Sequence, residues 1–338
     1  MMRKLLNIVL LLILLPYGLL LAHTVDRTEQ KGMKELFDKE EVTVLVTDSG
    51  LGGIAVCADI EQRLRSEYPF RSVKLIFCNA LPESDYGYNM MGSTEEKIQV
   101  FSDALAGMTR WYAPDIILIA CNTLSVLYDR TEYSRTATVP VISIVDIGVQ
   151  MMADYMRREP SSSVIIFGTE TTIEAESHKS LLMKTGIPAS RIVQQACPDL
   201  AGEIQSDAAS DAVGTMIGFY ADDAAGKLTN SAGPVAASLC CTHYGYSAGQ
   251  FREALQQRVQ RSVDLIDPTQ SMSNVLFPSG RRTRFAATHT SVTVISRATI
   301  APQEVNSIAA LIARQSPATA AALETFTLNK ELFTYTRK

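Results

Sequence analysis

The stretch VTVLVTDSGLGG, residues 42–53, runs from a short apolar segment into a loop holding an aspartate, a serine and three glycines. The apolar part reads as a buried strand, and the loop falls where that strand ends. Runs of the same kind recur as VKLIF (73–77), DIILIA (115–120), VPVISIV (139–145), SVIIF (163–167), VAASLC (235–240) and VDLI (263–266). Most lack polar alternation, as strands covered on both faces of a parallel sheet do. Helix-period stretches lie between them. STEE (93–96) forms a capping box ahead of Ile98, Phe101, Leu105 and Met108. A second helix is predicted through TIEAESHKSLLMKT (172–185), stopping at Gly186. Strand and helix in alternation predict an α/β fold with parallel sheets.

The polar loops all follow strands: DSGLGG after 42–47, CNTLS after 115–120, GTETT after 163–167 and CTHYG after 235–240. Ligands bind at the carboxyl ends of strands in open α/β sheets. The interval from Asp48 to Cys121 also equals that from Gly168 to Cys241. Two pseudosymmetric lobes, each with a parallel sheet, are therefore expected to face each other across a cleft that holds the active site.

DSGLGG is neither the dinucleotide fingerprint nor the lysine-bearing phosphate loop. Its glycines allow a tight turn and close backbone approach, with amides aimed at a ligand; a helix N-cap with a turn fits the same residues. Cys121 stands at a strand end ahead of a helix, where the dipole favours thiolate, and Asn122 and Thr123 can help hold a carboxylate. Cys241, Thr242 and His243 repeat the design. A lone buried cysteine is usually packing, but two in matching positions suit inversion of a stereocentre: one thiol takes an α-proton and the other returns one to the opposite face. Asp48 can assist Cys121, and His243 can assist Cys241. A Cys240–Cys241 redox pair is disfavoured, because adjacent residues of an extended strand point apart.

The 338 residues suffice for two domains, and 46% apolar with 20% charged residues is an ordinary globular balance. A net charge of −5 gives no basic excess for nucleic acid. Six cysteines without a C-x-x-C spacing exclude a disulfide scaffold and a zinc ribbon, so no metal is expected. Arg3 and Lys4 precede an uncharged run over residues 5–22, the layout of a secretory signal or a membrane anchor, so residues 1–24 are expected to export the chain or tether it to the membrane. Residues 25–41 read as a charged linker. Trp111, His178 and His289 read as packing or surface residues.

VTDSGLGGIAV, DYGYNMMGSTEE, ACNTLS, GTETT, ACPDL and CCTHYG occur in the order seen in glutamate racemases, and the chain resembles that family over residues 42–268. The resemblance implies a cofactor-independent, two-thiol racemase for a small acidic amino acid, with a homodimer and a place in peptidoglycan synthesis. It assigns Cys121 and Cys241 as the catalytic pair, tuned by Asp48 and His243. It assigns Asp48, Ser49, Tyr86, Gly87, Asn122, Thr123, Thr169, Thr172 and Thr242 to the substrate. It divides the chain into a first lobe of residues 42–142 plus 244–290, a second lobe of residues 143–243, and a strand–helix extension, 291–338, packed on the first. The pattern departs from the family at Asp85, at Gly245-Tyr246-Ser247 after CTHY, at Gln205 in place of a glutamate (with Glu203 nearby), and at Ala175 and His178. These departures bear on substrate choice, so aspartate or a related acid is an alternative substrate. An exported ligand-binding protein on the same two-lobed fold is the alternative in another class.

Overall fold

The structure is a computed structural model, and it describes residues 27–229 and 232–337. The predicted export or anchor segment, residues 1–24, lies outside the described residues. Among the described residues no helix is long and apolar enough to cross a membrane.

Among the described residues ten strands make two sheets. They are β1 (Glu41–Asp48), β2 (Ser72–Asn79), β3 (Ile116–Ile119), β4 (Val141–Ser143), β5 (Ser163–Gly168), β6 (Ile192–Ala196), β7 (Val235–Cys240), β8 (Val263–Ile266), β9 (His289–Ser296) and β10 (Thr327–Leu328). One sheet has the order β10-β9-β2-β1-β3-β4 and the other β6-β5-β7-β8. All these pairings are parallel. β3, β5 and β7 are buried at every position, which explains their unbroken apolar runs. The two sheets share one design. β1 lies between β2 and β3 as β5 lies between β6 and β7, and Cys121 follows β3 as Cys241 follows β7. The equal sequence intervals are thus the same β-α-β-α-β succession, β1 to β3 and β5 to β7, used twice.

Several boundaries differ from the sequence reading. β8 pairs with β7, so residues 263–266 and the helix Ala248–Val259 ahead of them belong to the second lobe, not to a first-lobe segment 244–290. The 291–338 extension begins as an integral strand, because β9 pairs along the whole of β2. The supposed linker, 25–41, contains the helix Arg27–Asp38, whose Leu36 is buried in the first lobe's core and whose Phe37 stacks on Phe70 at 5.9 Å. Within 139–145 only Val141–Ser143 is strand, since the Ser143 hydroxyl accepts from the Val145 amide and starts the helix Ile144–Arg158. The helix expected over 172–185 is two helices, Glu170–Glu174 and Ser177–Lys184, separated by a left-handed Glu176 at φ 51°.

Candidate active site

The carboxyl ends of β1 and β3 face those of β5 and β7 around a cavity of about 290 Å³. That is near the lower end of small-molecule sites, which run from about 300 Å³ upward. β1 departs to β2 on one side and pairs with β3 on the other, so the cavity sits at the topological switch point of its sheet.

Cys121 and Cys241 both line this cavity, and each is almost fully buried. They lie close enough that a charge on one opposes a charge on the other. The Cys121 Sγ is 3.1 Å from the Ser49 hydroxyl and the Cys241 Sγ is 3.8 Å from His243 Nδ1. Burial pushes the Cys121 thiol up to about 12; the Asp48 carboxylate adds to the rise, and hydrogen bonds from Ser49 and the Leu124 backbone oppose it. Burial raises Cys241 well above the ordinary thiol value as well, and Asp48 and Cys121 reinforce it against the His243 backbone amide. The dipole expected to favour thiolate is therefore outweighed by desolvation. Cys240 sits on the opposite face of β7, in a different apolar cluster from Cys241. Among the described residues all six cysteines are free and buried.

Asp48 ends β1 fully buried, and its Oδ2 accepts a 2.7 Å hydrogen bond from Thr242 across the cleft. Gly50 and Gly52 of DSGLGG serve this inter-lobe contact. A Cβ on Gly52 would stand 2.4 Å from Thr242 Oγ1 and 2.8 Å from the His243 nitrogen; one on Gly50 would stand 3.1 Å from Gln205 Oε1. Close approach was predicted correctly, but what approaches is the second lobe. The Leu51 amide is likewise taken by Gln205 Oε1, at 2.8 Å.

Asn122, Thr123, Thr169, Thr242, Ser49 and Gly87 line the cavity. Thr123 Oγ1 lies 2.8 Å from Thr169 Oγ1, a hydroxyl pair bridging the lobes. Thr172 does not line the cavity; it lies behind Thr169, at 3.0 Å between hydroxyls. Tyr86 does not line it either. Its ring lies under the Arg337 guanidinium at 4.2 Å, and Tyr88 reaches the cavity instead. Arg337 also pairs with Asp85 at 3.3 Å, so the charge introduced at Asp85 is offset by the C-terminal segment.

His178, open between core and surface in the sequence, is buried; its Nε2 is 3.1 Å from Asn122 Oδ1, and burial pushes it down to about 4. Asn122 Nδ2 then remains a buried donor, at the cavity wall, with no hydrogen-bond partner among the described residues. Glu304, from the helix Pro302–Ile312, lines the cavity and accepts from Gln205 Nε2 at 2.9 Å. No signal near Glu304 marks it; Gln205 stands out in the sequence only as a departure from the family's glutamate, with Glu203 as the alternative. Glu203 has no role among the cavity-lining residues. Among the described residues no cluster of His, Cys, Asp or Glu is arranged to hold a metal ion.

No family model matches the chain. It is 23% identical over 232 residues to the glutamate racemase of Aquifex aeolicus, covering 68% of this chain and 80% of that one. It is 24% identical over 200 residues to the glutamate racemase of Staphylococcus aureus strain JH9, covering 59% and 68%. Among solved structures, Francisella tularensis glutamate racemase in complex with D-glutamate superposes with a TM-score of 0.62 at 20% identity, over 80% of this chain and 93% of that one. Glutamate racemase RacE1 of Bacillus anthracis gives 0.59 at 18%, over 82% and 94%. The chain is thus similar in sequence to glutamate racemases and has their two-lobed α/β fold.

Proposed function

We propose that the protein is a cofactor-independent racemase that interconverts L- and D-glutamate. The single observation carrying this reading is that two thiols, placed by equivalent strands of two lobes, line one small cavity. A binding protein has no need of that pairing.

In this reading Asp48 faces the substrate ammonium, and Asn122 Nδ2 with the Thr123, Thr169 and Thr242 hydroxyls faces its carboxylates. The orphan Asn122 donor supports this, because a buried N–H without an acceptor costs about 1–3 kcal/mol. Both thiols rest protonated. An ammonium beside Asp48 cancels the carboxylate's part of that effect and lowers the cost of forming a thiolate. The thiolate takes the α-proton, the opposed thiol delivers one to the other face, and the hydrogen-bond donors carry the charge that develops on the substrate carboxylate. The D-glutamate complex of the Francisella protein supports glutamate as the first candidate.

Titration calorimetry on Cys121→Ala and Cys241→Ala tests the reading. Each variant should bind glutamate and lose racemisation by at least about 100-fold, the low end for a general base. Racemisation persisting in either variant would refute it.

We extend the proposal to location: Arg3, Lys4 and the uncharged run 5–22 support export or anchoring. Cys57, Cys78 and Cys240 are buried away from the cavity, whereas Cys121, Cys197 and Cys241 line it, so export requires that the cavity thiols be kept reduced. Fractionation of cells expressing the full chain checks the location, with activity confined to the cytosol as the contradicting result.

A further inference from the structure

We infer that Glu304, carried by the C-terminal helix, is a positioning residue that acts through Gln205 to hold His243 in one tautomer, with Nδ1 free to take the proton of Cys241. This rests on the racemase reading and adds to it a device drawn from outside the segment that resembles the family.

Gln205 links Leu51, Glu304 and His243 through its one side-chain amide. The Leu51 amide can only donate, and it meets Gln205 Oε1 at 2.8 Å. The Glu304 carboxylate accepts from Gln205 Nε2 at 2.9 Å. These two partners define which end of the Gln205 amide is oxygen, an assignment that geometry alone leaves open. Gln205 Oε1 then lies 2.9 Å from His243 Nε2, and an amide oxygen only accepts, so Nε2 carries the hydrogen. A neutral imidazole protonated at Nε2 presents a lone pair at Nδ1, the atom 3.8 Å from Cys241 Sγ. Burial favours the neutral ring, with Asp48 and Glu304 opposing it. Glu304 is itself held, because its other oxygen accepts from the Ala301 amide at the start of its helix.

The step balances. The Cys241 S–H bond breaks, its proton goes to His243 Nδ1 and its electron pair stays on sulfur. The imidazolium then donates from Nε2 to Gln205 and from Nδ1 to the thiolate, near the carboxylates of Asp48 and Glu304. The thiolate takes the substrate's α-proton while Cys121 gives its own proton to the opposite face; after product release the imidazolium's proton passes through solvent to the Cys121 thiolate, which restores both thiols and the neutral ring.

The test is nitrogen NMR of the full chain labelled at its four histidines, with His243→Gln identifying the resonance. At neutral pH the native His243 should show a protonated Nε2 and an unprotonated Nδ1. Glu304→Leu should lose this single tautomer and lower kcat about tenfold, a fraction of the roughly 100-fold or more that a proton-transfer group supplies, with KM little changed. Glu304→Gln, which keeps an acceptor, should recover both. Native His243 protonated at Nδ1, or a Glu304→Leu protein with unchanged tautomer and kcat, would overturn the inference. The tautomer is read without substrate, so it separates failure of this inference from failure of the racemase reading.

Discussion

Gly52→Ala tests the contact that joins the lobes. The new Cβ would sit 2.4 Å from Thr242 Oγ1, 2.7 Å from His243 Nδ1 and 2.8 Å from the His243 backbone nitrogen. Thr242 can rotate away, but doing so breaks its bond to the buried Asp48 carboxylate, worth about 1.5–3 kcal/mol for a charged acceptor. The His243 nitrogen is backbone and cannot rotate away, so the CTH loop must move, which adds an overpacking cost of about 1–3 kcal/mol. The φ of Gly52 lies outside the left-handed region, so alanine brings no backbone strain, and a less flexible unfolded chain returns about 0.4–1 kcal/mol. The net expectation is a loss of about 1.5–5.5 kcal/mol in denaturant unfolding, with racemisation falling because Thr242 and His243 are displaced. Gly249→Ala, in the helix Ala248–Val259 with open space at its Cβ, is the control and should stabilise by up to about 1 kcal/mol. A Gly52→Ala protein as stable and active as the parent would refute the reading of DSGLGG as an inter-lobe seat.

His178 should make stability acid-sensitive. Its folded pKa of about 4 lies below the ordinary 6.5, so the unfolded chain binds the extra proton. The contribution is complete above pH 6.5 and falls away toward pH 4. At about 1.4 kcal/mol per pH unit the loss is about 3 kcal/mol. Urea titrations at pH 7 and 4.5 should show a smaller drop for His178→Gln than for the parent; equal drops would exclude His178 as the cause. Gly107→Ala should release the C-terminal segment, because its Cβ would fall 1.9 Å from the Leu332 carbonyl oxygen, beside buried Leu332 and Phe333. Limited proteolysis should then cut near residues 329–337 while the sheets stay folded, and an uncut tail would contradict this.

Much of the site was legible because buried parallel strands leave continuous apolar runs, and the polar loops that end them stand out. Cys121 and Cys241 emerged from such loops, and their matched spacing reflects the repeated order of β1 to β3 and β5 to β7. β6 was missed because Gln194 and Gln195 interrupt IVQQA at the edge of its sheet. β9 begins two residues before the expected boundary at 291, because HTSVTVIS mixes polar and apolar positions and is fully buried only at its last three residues. β8 was assigned to the wrong lobe, since local pattern does not say which sheet a short strand joins. Tyr86 was carried over by its motif, yet the cation of Arg337 occupies its ring face. Glu304 was invisible for a simpler reason: nothing in APQEVN distinguishes a glutamate that caps its own helix from one that also reaches a cavity.

The most direct measurement is incubation of the purified protein with L- and with D-glutamate in heavy water, followed by chiral analysis and proton NMR. A two-thiol racemase predicts that each enantiomer yields the other carrying α-deuterium, and that Cys121→Ala and Cys241→Ala both abolish the inversion. If neither glutamate nor aspartate gains α-deuterium, the facing thiols do not perform this chemistry and the racemase reading is wrong.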